Sequence, residues 1–402
     1  MSAEVRFRKT LPSGDRGARP WLTEACERLV GFWPSASREP IFTPLSPVPR
    51  RLLVVKVFGM GDSVLVRSLI EHLTAHNRGM EIGVLVGPAT RELMTLGAGF
   101  TVHQYTQRTL TPRAALVSLR EIRRKRYDAI LNFEQRSIAG SGFLAATGVR
   151  HRVGFLPTIP SPKALFLTHA IRFQEAHSMW QSFIRLAQMI DPSLSKTLMP
   201  VPVKCGPASD KWARDWLDRN GSRGQPIAIH LGSQDLEFRR WPVERFVQFA
   251  ERIHGDGARC SIILTGSSPE RPLIRAFLAQ YSAHALDASE SDSLEKTAAM
   301  LNLCSLLVSN DTGVMHLAAA MGTPTVGLFG PNSPRCWAPI GPRATYVYDT
   351  NVACSPCLNL YANRWPLECT NPQWSRCMLD IEVDSVLNAA RRVVTEDCPR
   401  TS

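Results

Sequence analysis

Long apolar runs are what this chain most plainly lacks. Its longest fall well short of the roughly 20 residues that a membrane-spanning helix needs, so no transmembrane span is expected. The first residues, Met1 to Pro20, carry basic side chains but no apolar segment of the kind that marks a secretory signal, which points to the cytoplasm. There the ten cysteines are expected as reduced thiols rather than as a disulfide framework. There is no G-x4-G-K-[ST] phosphate loop and no H-E-x-x-H zinc helix. Basic residues are not interleaved with aromatics along any one segment, and no nucleic-acid motif occurs, which argues against a nucleic-acid partner.

What is present is the composition of a globular protein with a large core. The chain has 402 residues, 44% of them hydrophobic and 20% charged, enough for two domains or more. A formal charge of +12 favours anionic partners such as nucleotides or an anionic membrane face. The densest basic run, Arg120, Arg123, Arg124, Lys125 and Arg126, reads equally as a solvated helix end or as a functional patch.

Residues 1–49 are rich in Pro, Arg and Ser and read as an irregular lead-in, with one short helix from Trp21 to Phe32 and an extended stretch from Pro40 to Pro49. Strands are predicted at Arg51 to Val57, Glu81 to Val86, Tyr127 to Phe133 and His151 to Phe155. Helices at Val64 to His76, Thr90 to Leu96, Pro112 to Arg126 and His177 to Ile190 alternate with them. After a Pro- and Ser-rich linker around 191–207 the alternation restarts, with strands at Ile227 to His230, Arg259 to Thr265, Leu306 to Val308 and Thr325 to Phe329. Helices are predicted at Pro242 to His254, after the Gly266 to Glu270 turn as far as Tyr281, at Val314 to Met321 and at Val383 to Val394. Such alternation argues for βαβ units and parallel sheets. The predicted architecture is α/β, in two halves with a ligand cleft between them: an N-terminal domain over 50–195, a C-terminal domain over 205–382, and a helix and tail over 383–402.

Three turns at strand ends carry polar residues where ligands sit in open α/β sheets. Gly59-Met60-Gly61-Asp62 begins like a dinucleotide fingerprint but has no third glycine at the expected spacing. Its glycines let the backbone approach a substrate closely. Asp62 is either a helix cap or a general base toward a hydroxyl. His230-Leu231-Gly232-Ser233 is followed by Arg239-Arg240-Trp241-Pro242. Two adjacent arginines can reach phosphates by forked hydrogen bonds, or can be a surface pair packed on Trp241. Asp311-Thr312-Gly313 opens a helix and suits a phosphate or plain capping. His316, one turn on, reads as a phosphate contact or a core histidine.

Four separated pieces together resemble the bacterial ADP-heptose:lipopolysaccharide heptosyltransferase family, glycosyltransferase family 9. They are the strand and turn from Lys56 to Asp62; the His230 to Ser233 turn with Arg239-Arg240-Trp241-Pro242-x-Glu244-Arg245-Phe246; Leu264-Thr265-Gly266 with Pro269-Glu270; and Val308 to Ala320, running on to Pro331. The resemblance spans roughly residues 50 to 390. It implies a GT-B fold, two Rossmann-like domains with parallel sheets facing across a cleft. It implies an inverting, metal-independent sugar transfer that needs no cofactor, from a nucleotide-sugar such as ADP-heptose to lipopolysaccharide or another glycolipid or polysaccharide acceptor. The setting would be the cytoplasm, at the inner membrane face with its anionic headgroups. By similarity Asp62 is the catalytic base. Ser233, Arg239, Arg240, Glu270, Asp311, Thr312, Gly313 and His316 fall at donor and phosphate contacts, with Glu270 near the ribose. The sequence departs from the family in having arginine at Arg239, where many members have lysine, and in its long lead-in. These leave open another donor or a protein acceptor, and a non-catalytic sugar-nucleotide-binding relative is the rival of a different class.

Cys354, Cys357, Cys369 and Cys377 lie in a cysteine-rich loop, 354–377. One C-x2-C pair with two further cysteines is a candidate zinc or iron tetrathiolate, although the second half lacks the short spacing of a strong site. The alternative is a set of reduced or packed thiols.

Overall fold

A computed structural model of the chain describes residues 40–395, apart from 97–99, 105–111, 136, 158–160, 175–176, 234–235, 256–259, 290, 292, 359–365 and 367. The helix expected over Trp21 to Phe32 and the tail 396–402 therefore lie outside the described residues.

The first half runs β1 (Arg51–Lys56), α1 (Met60–His76), β2 (Glu81–Val86), α2 (Pro88–Thr95), β3 (Thr101–Gln104), α3 (Pro112–Lys125), β4 (Ala129–Asn132), α4 (Ile138–Ala146), β5 (His151–Leu156), β6 (His169–Arg172) and α5 (Met179–Ala187). A 3₁₀ turn over Pro162–Phe166 joins β5 to β6. The second half runs α6 (Pro207–Arg219), β7 (Ile227–His230), α7 (Val243–Gly255), β8 (Ile262–Thr265), α8 (Arg271–Gln280), β9 (Ala285–Asp287), α9 (Leu294–Asn302), β10 (Leu306–Asn310), α10 (Gly313–Met321), β11 (Thr325–Phe329), α11 (Pro334–Trp337), β12 (Ala344–Tyr348), α12 (Arg376–Leu379) and α13 (Val383–Thr395). Each half holds one six-stranded sheet, in the orders β3-β2-β1-β4-β5-β6 and β12-β11-β10-β7-β8-β9. Every pairing is parallel. The chain is thus two Rossmann-like units, as its alternating pattern predicts.

Alternation along the central strands builds the layers, because successive side chains point to opposite faces. Leu52 and Val54 pack with Leu65, Leu69 and Leu73 of α1 and Phe183 of α5. Leu53 and Val55 face the other way, against Ile122 of α3 and Leu144 of α4. In the second sheet Leu306 and Val308 join a core with Phe246, Phe249 and Phe277. That core also takes in Val386, Leu387 and Val393, so α13 is part of the second half rather than an appendage. Leu307 faces a third cluster that contains Leu317 of α10 together with Val64, Leu93 and Leu96 of the first half. The two halves therefore share a core. The segment joining them is fastened to α1, where the Ser68 hydroxyl accepts from Val201 N–H at 2.6 Å. Helix α1 starts at Met60, four residues earlier than its apolar pattern suggests, because Gly59 (φ 80°) takes the N-cap position.

Candidate functional site

In parallel sheets the strand ends gather at one edge, and the sequence-predicted residues collect there. Asp62 lies in the first turn of α1. It does not cap the helix. Its Oδ2 lies 2.7 Å from Lys56 Nζ and accepts from Gln135 Nε2 at 3.3 Å. Lys56 ends β1 and is only 2% exposed. On its other side Glu134 Oε1 lies 3.7 Å away. Glu134 is held in turn, because Oε1 accepts from the backbone N–H groups of Val57 (2.7 Å) and Phe58 (3.0 Å). The pairing of β1 with β4, Val55 opposite Asn132, brings these residues together. A second buried amine, Lys163, donates to the carbonyls of Glu134 (2.5 Å) and Gln135 (3.2 Å).

The pKa values of the two lysines move in opposite directions for physical reasons. Burial disfavours the Lys56 ammonium, but Asp62 and Glu134 outweigh it, and its pKa rises above the ordinary value. Burial pushes Lys163 down to about 7, with Glu134 opposing and Lys56 adding to the fall.

Across the cleft, β7 ends at His230 and leads to Ser233. The Ser233 hydroxyl is fully buried and has no hydrogen-bond partner among the described residues. Asn310 shapes this turn by donating to the carbonyls of Leu231 (2.9 Å) and Gly232 (3.3 Å). Glu270 caps its own turn by accepting from Ser267 N–H at 2.7 Å. Its carboxylate lies over Gly232, where a Cβ would sit 1.5 Å from Oε1, and that close approach requires glycine. Burial lowers the pKa of the adjacent His230 imidazole.

Asp311 and Arg239, both expected at the donor phosphates, are bound to each other. Arg239 donates through one terminal nitrogen to the Asp311 carbonyl (2.8 Å) and to Oδ2 (2.9 Å), while its Nε has no partner among the described residues. Asn332 Nδ2 also donates to Asp311 Oδ2, at 2.6 Å, leaving its own Oδ1 buried and unpartnered. The capping role falls to Thr312, whose Oγ1 accepts from Met315 N–H at 3.5 Å. Arg240 is half-buried beside this group.

His316 is where the halves meet. Its ring lies against Gly61, where a Cβ would come within 2.5 Å of Cδ2, so that glycine makes room for an imidazole of the facing domain. Gly313 makes the same allowance for Met60. The imidazole is buried and its Nδ1 has no partner among the described residues. Burial lowers its pKa, against the opposing charges of Asp311 and Asp62.

In the cysteine loop, Cys354, Cys357, Cys369 and Cys377 lie near one another. Cys377 is buried, and its thiol is pushed up to about 12 by burial and then by the neighbouring Cys357, Cys354 and Cys369. The sulfur of Cys369 accepts from Ser375 N–H and that of Cys354 from Asn371 Nδ2, each at 3.3 Å. Among the described residues no three His, Cys, Asp or Glu side chains are arranged to hold a metal ion. Of the four, Cys354 is exposed, Cys357 and Cys369 are half-buried and Cys377 is buried. In the basic run, Arg123 donates to the Ala146 carbonyl and Arg124, Lys125 and Arg126 are exposed, as at a solvated helix end.

Sequence reasoning missed Lys56, Glu134, Gln135, Lys163, Asn310 and Asn332. Only Lys56 left a signal, a charge inside an otherwise apolar strand.

The chain is similar to known proteins over much of its length. Residues 115–363 match Glycosyltransferase family 9 (heptosyltransferase). Lipopolysaccharide core heptosyltransferase OpsX of Haemophilus influenzae is 20% identical over 319 residues, 78% of this chain and 88% of that protein. Lipopolysaccharide heptosyltransferase 2 of Salmonella typhimurium is 27% identical over 125 residues, which are 30% of this chain and only 35% of that relative. Among solved structures, ADP-heptose lps heptosyltransferase II of E. coli superposes with a TM-score of 0.69 at 19% identity, covering 86% of this chain and 98% of that one. E. coli heptosyltransferase WaaC with ADP gives a TM-score of 0.62 at 18% identity, covering 85% and 99%. The shared fold is GT-B.

Proposed function

Because the chain belongs to glycosyltransferase family 9, the heptosyltransferases, we propose that it is an inverting glycosyltransferase that moves heptose from ADP-heptose to a lipopolysaccharide or related surface-glycan acceptor. The observation that carries the reading is the contact of His316 with Gly61. It sets a buried carboxylate, Asp62, beside a helix N-terminus around which Ser233 Oγ, His316 Nδ1 and Arg239 Nε lack partners among the described residues. Buried polar atoms are normally satisfied, so these four elements suit a ligand rich in acceptor oxygens.

In this reading the diphosphate accepts from Ser233, from the N–H tautomer of His316, from Arg239 Nε and from the first N–H groups of α10, which have no intrahelical partner. Arg240 adds positive charge, and Glu270 meets the ribose hydroxyls. Asp311 holds Arg239 in place rather than touching phosphate, since two anions would repel. Asp62 takes the acceptor hydroxyl proton as the oxygen attacks the anomeric carbon. The bond to the diphosphate breaks on the opposite face, which inverts the anomeric centre. Fixed donors stabilise the charge that develops on the leaving oxygen without a metal. A net charge of +12 favours an anionic acceptor at the cytoplasmic face of a membrane.

The test is calorimetric titration with ADP, UDP and GDP on wild type and Ser233→Ala. ADP is expected to bind selectively. Ser233→Ala should weaken it about tenfold, the order of one hydrogen bond to a charged group, without loss of thermal stability because no partner is lost. Asp62→Asn should keep ADP binding and lose heptose transfer. Absence of binding by any of the three nucleotides would end the donor-site reading.

A further inference from the structure

The Lys56–Glu134 pair has no part in the steps above, yet it is buried against the proposed base. Lys56 touches two carboxylates at once, Asp62 at 2.7 Å and Glu134 at 3.7 Å. A buried ammonium that loses its partner is costly. Asp62 must lose its negative charge each time it takes the acceptor proton, and that would strand Lys56. We propose that Glu134 is a standby counterion, which keeps Lys56 paired while Asp62 passes through its neutral form. The inference rests on the reading of Asp62 as base.

The proton balance is simple. The acceptor O–H gives its proton to Asp62, the new sugar–oxygen bond forms, and the electron pair of the broken bond leaves with ADP. Asp62 is then a neutral carboxylic acid, and Lys56 and Glu134 remain as an ion pair. Glu134 is suited to this because Val57 and Phe58 N–H groups fix its Oε1. Asp62 makes hydrogen bonds through Oδ2 alone among the described residues, which leaves Oδ1 for the acceptor. The other groups facing the cluster are Gln135, Lys163 from the 3₁₀ turn, and His316 from α10. Glu134 is a positioning residue and touches no substrate.

The first measurement needs no substrate. The Asp62 carboxyl is followed against pH by ¹³C NMR of protein labelled at aspartate Cγ, assigned by the signal that Asp62→Asn removes. Glu134→Gln keeps an oxygen for the two backbone N–H groups but loses the charge. It should lower the Asp62 midpoint by about one pH unit, a tenfold change in proton affinity, because protonating Asp62 then strands Lys56. Lys56→Gln should move the midpoint up. Both should bind ADP as wild type does, which also reports that they fold. A weaker base transfers more slowly, so Glu134→Gln should lower kcat in transfer from ADP-heptose to heptose-free lipopolysaccharide while ADP affinity holds. An Asp62 midpoint that Glu134→Gln leaves in place, with Asp62→Asn inactive, overturns this inference alone. Wild-type turnover by Asp62→Asn would overturn the base reading and this inference with it.

Discussion

Lys163 shows what one buried residue does to the stability of the molecule. Its amine has an ordinary pKa of 10.5 when unfolded and about 7 in the fold. Below about pH 7 it is protonated in both states, and the cost of burying the charge is present in full. Between about 7 and 10.5 the unfolded chain binds the extra proton, so stability rises with pH. Lys163→Met removes the titration. It also leaves the Glu134 and Gln135 carbonyls unpaired, at a cost of about 1–3 kcal/mol each that does not depend on pH. The unfolding free energy of Lys163→Met relative to wild type, measured in urea, should therefore be most favourable near pH 6 and decline toward pH 10. A difference that stays flat across that range would mean that the amine is not held neutral. Arg239 and Asp311 make the opposite point, since each compensates the charge of the other.

At the scale of elements, the facing starts of α1 and α10 decide whether the cleft residues meet. Two glycines allow it, Gly61 under His316 and Gly313 under Met60. Gly61→Ala has two opposed effects. Alanine in place of glycine favours the helix by up to about 1 kcal/mol. Its methyl would meet the imidazole at 2.5 Å, and overpacking of this kind costs about 1–3 kcal/mol. The clash should win. A modest drop in melting temperature and a loss of about tenfold or more in transfer rate are expected, read by calorimetry and by ADP release. An unchanged rate would show that His316 can give way freely. The sequence foretold these helices and the strands before them, because β1, β2, β7, β10 and β11 are apolar runs buried on both faces. It did not show β3, β6, β9 or β12, which are short and lie at the sheet edges, where a polar pattern is tolerated. α4, with its two glycines, and α6, behind a proline-rich joint, were equally hidden. The polar turns at strand ends that hold Asp62, Ser233 and Asp311 were legible as turns from their local chemistry. The Lys56–Glu134 pair was not, because residues 78 positions apart become neighbours only through the register of β1 on β4. Nor did spacing reveal that Arg239 reaches Asp311 before it reaches any ligand.

At the scale of the whole molecule, the two halves share buried apolar surface. Val64, Leu93 and Leu96 lie in one cluster with Val203, Val314 and Leu317. Units in one chain move independently by default, and a large hydrophobic interface is what changes that. The expected consequence is a single calorimetric transition in which both sheets melt together. If ADP binds only the second half, it should still raise that entire transition. At a hundred times its Kd the stabilisation is about 2.7 kcal/mol, or about 4 °C for a unit of this size. Val64→Asp puts a charge into the shared cluster from the first half. It should divide the transition in two, leaving only the later-binding, ADP-sensitive half shifted by nucleotide. Two transitions already present in wild type, with ADP moving only one, would show that the shared cluster does not couple the halves. Then the meeting of His316 with Gly61 would depend on bound substrate rather than on the fold.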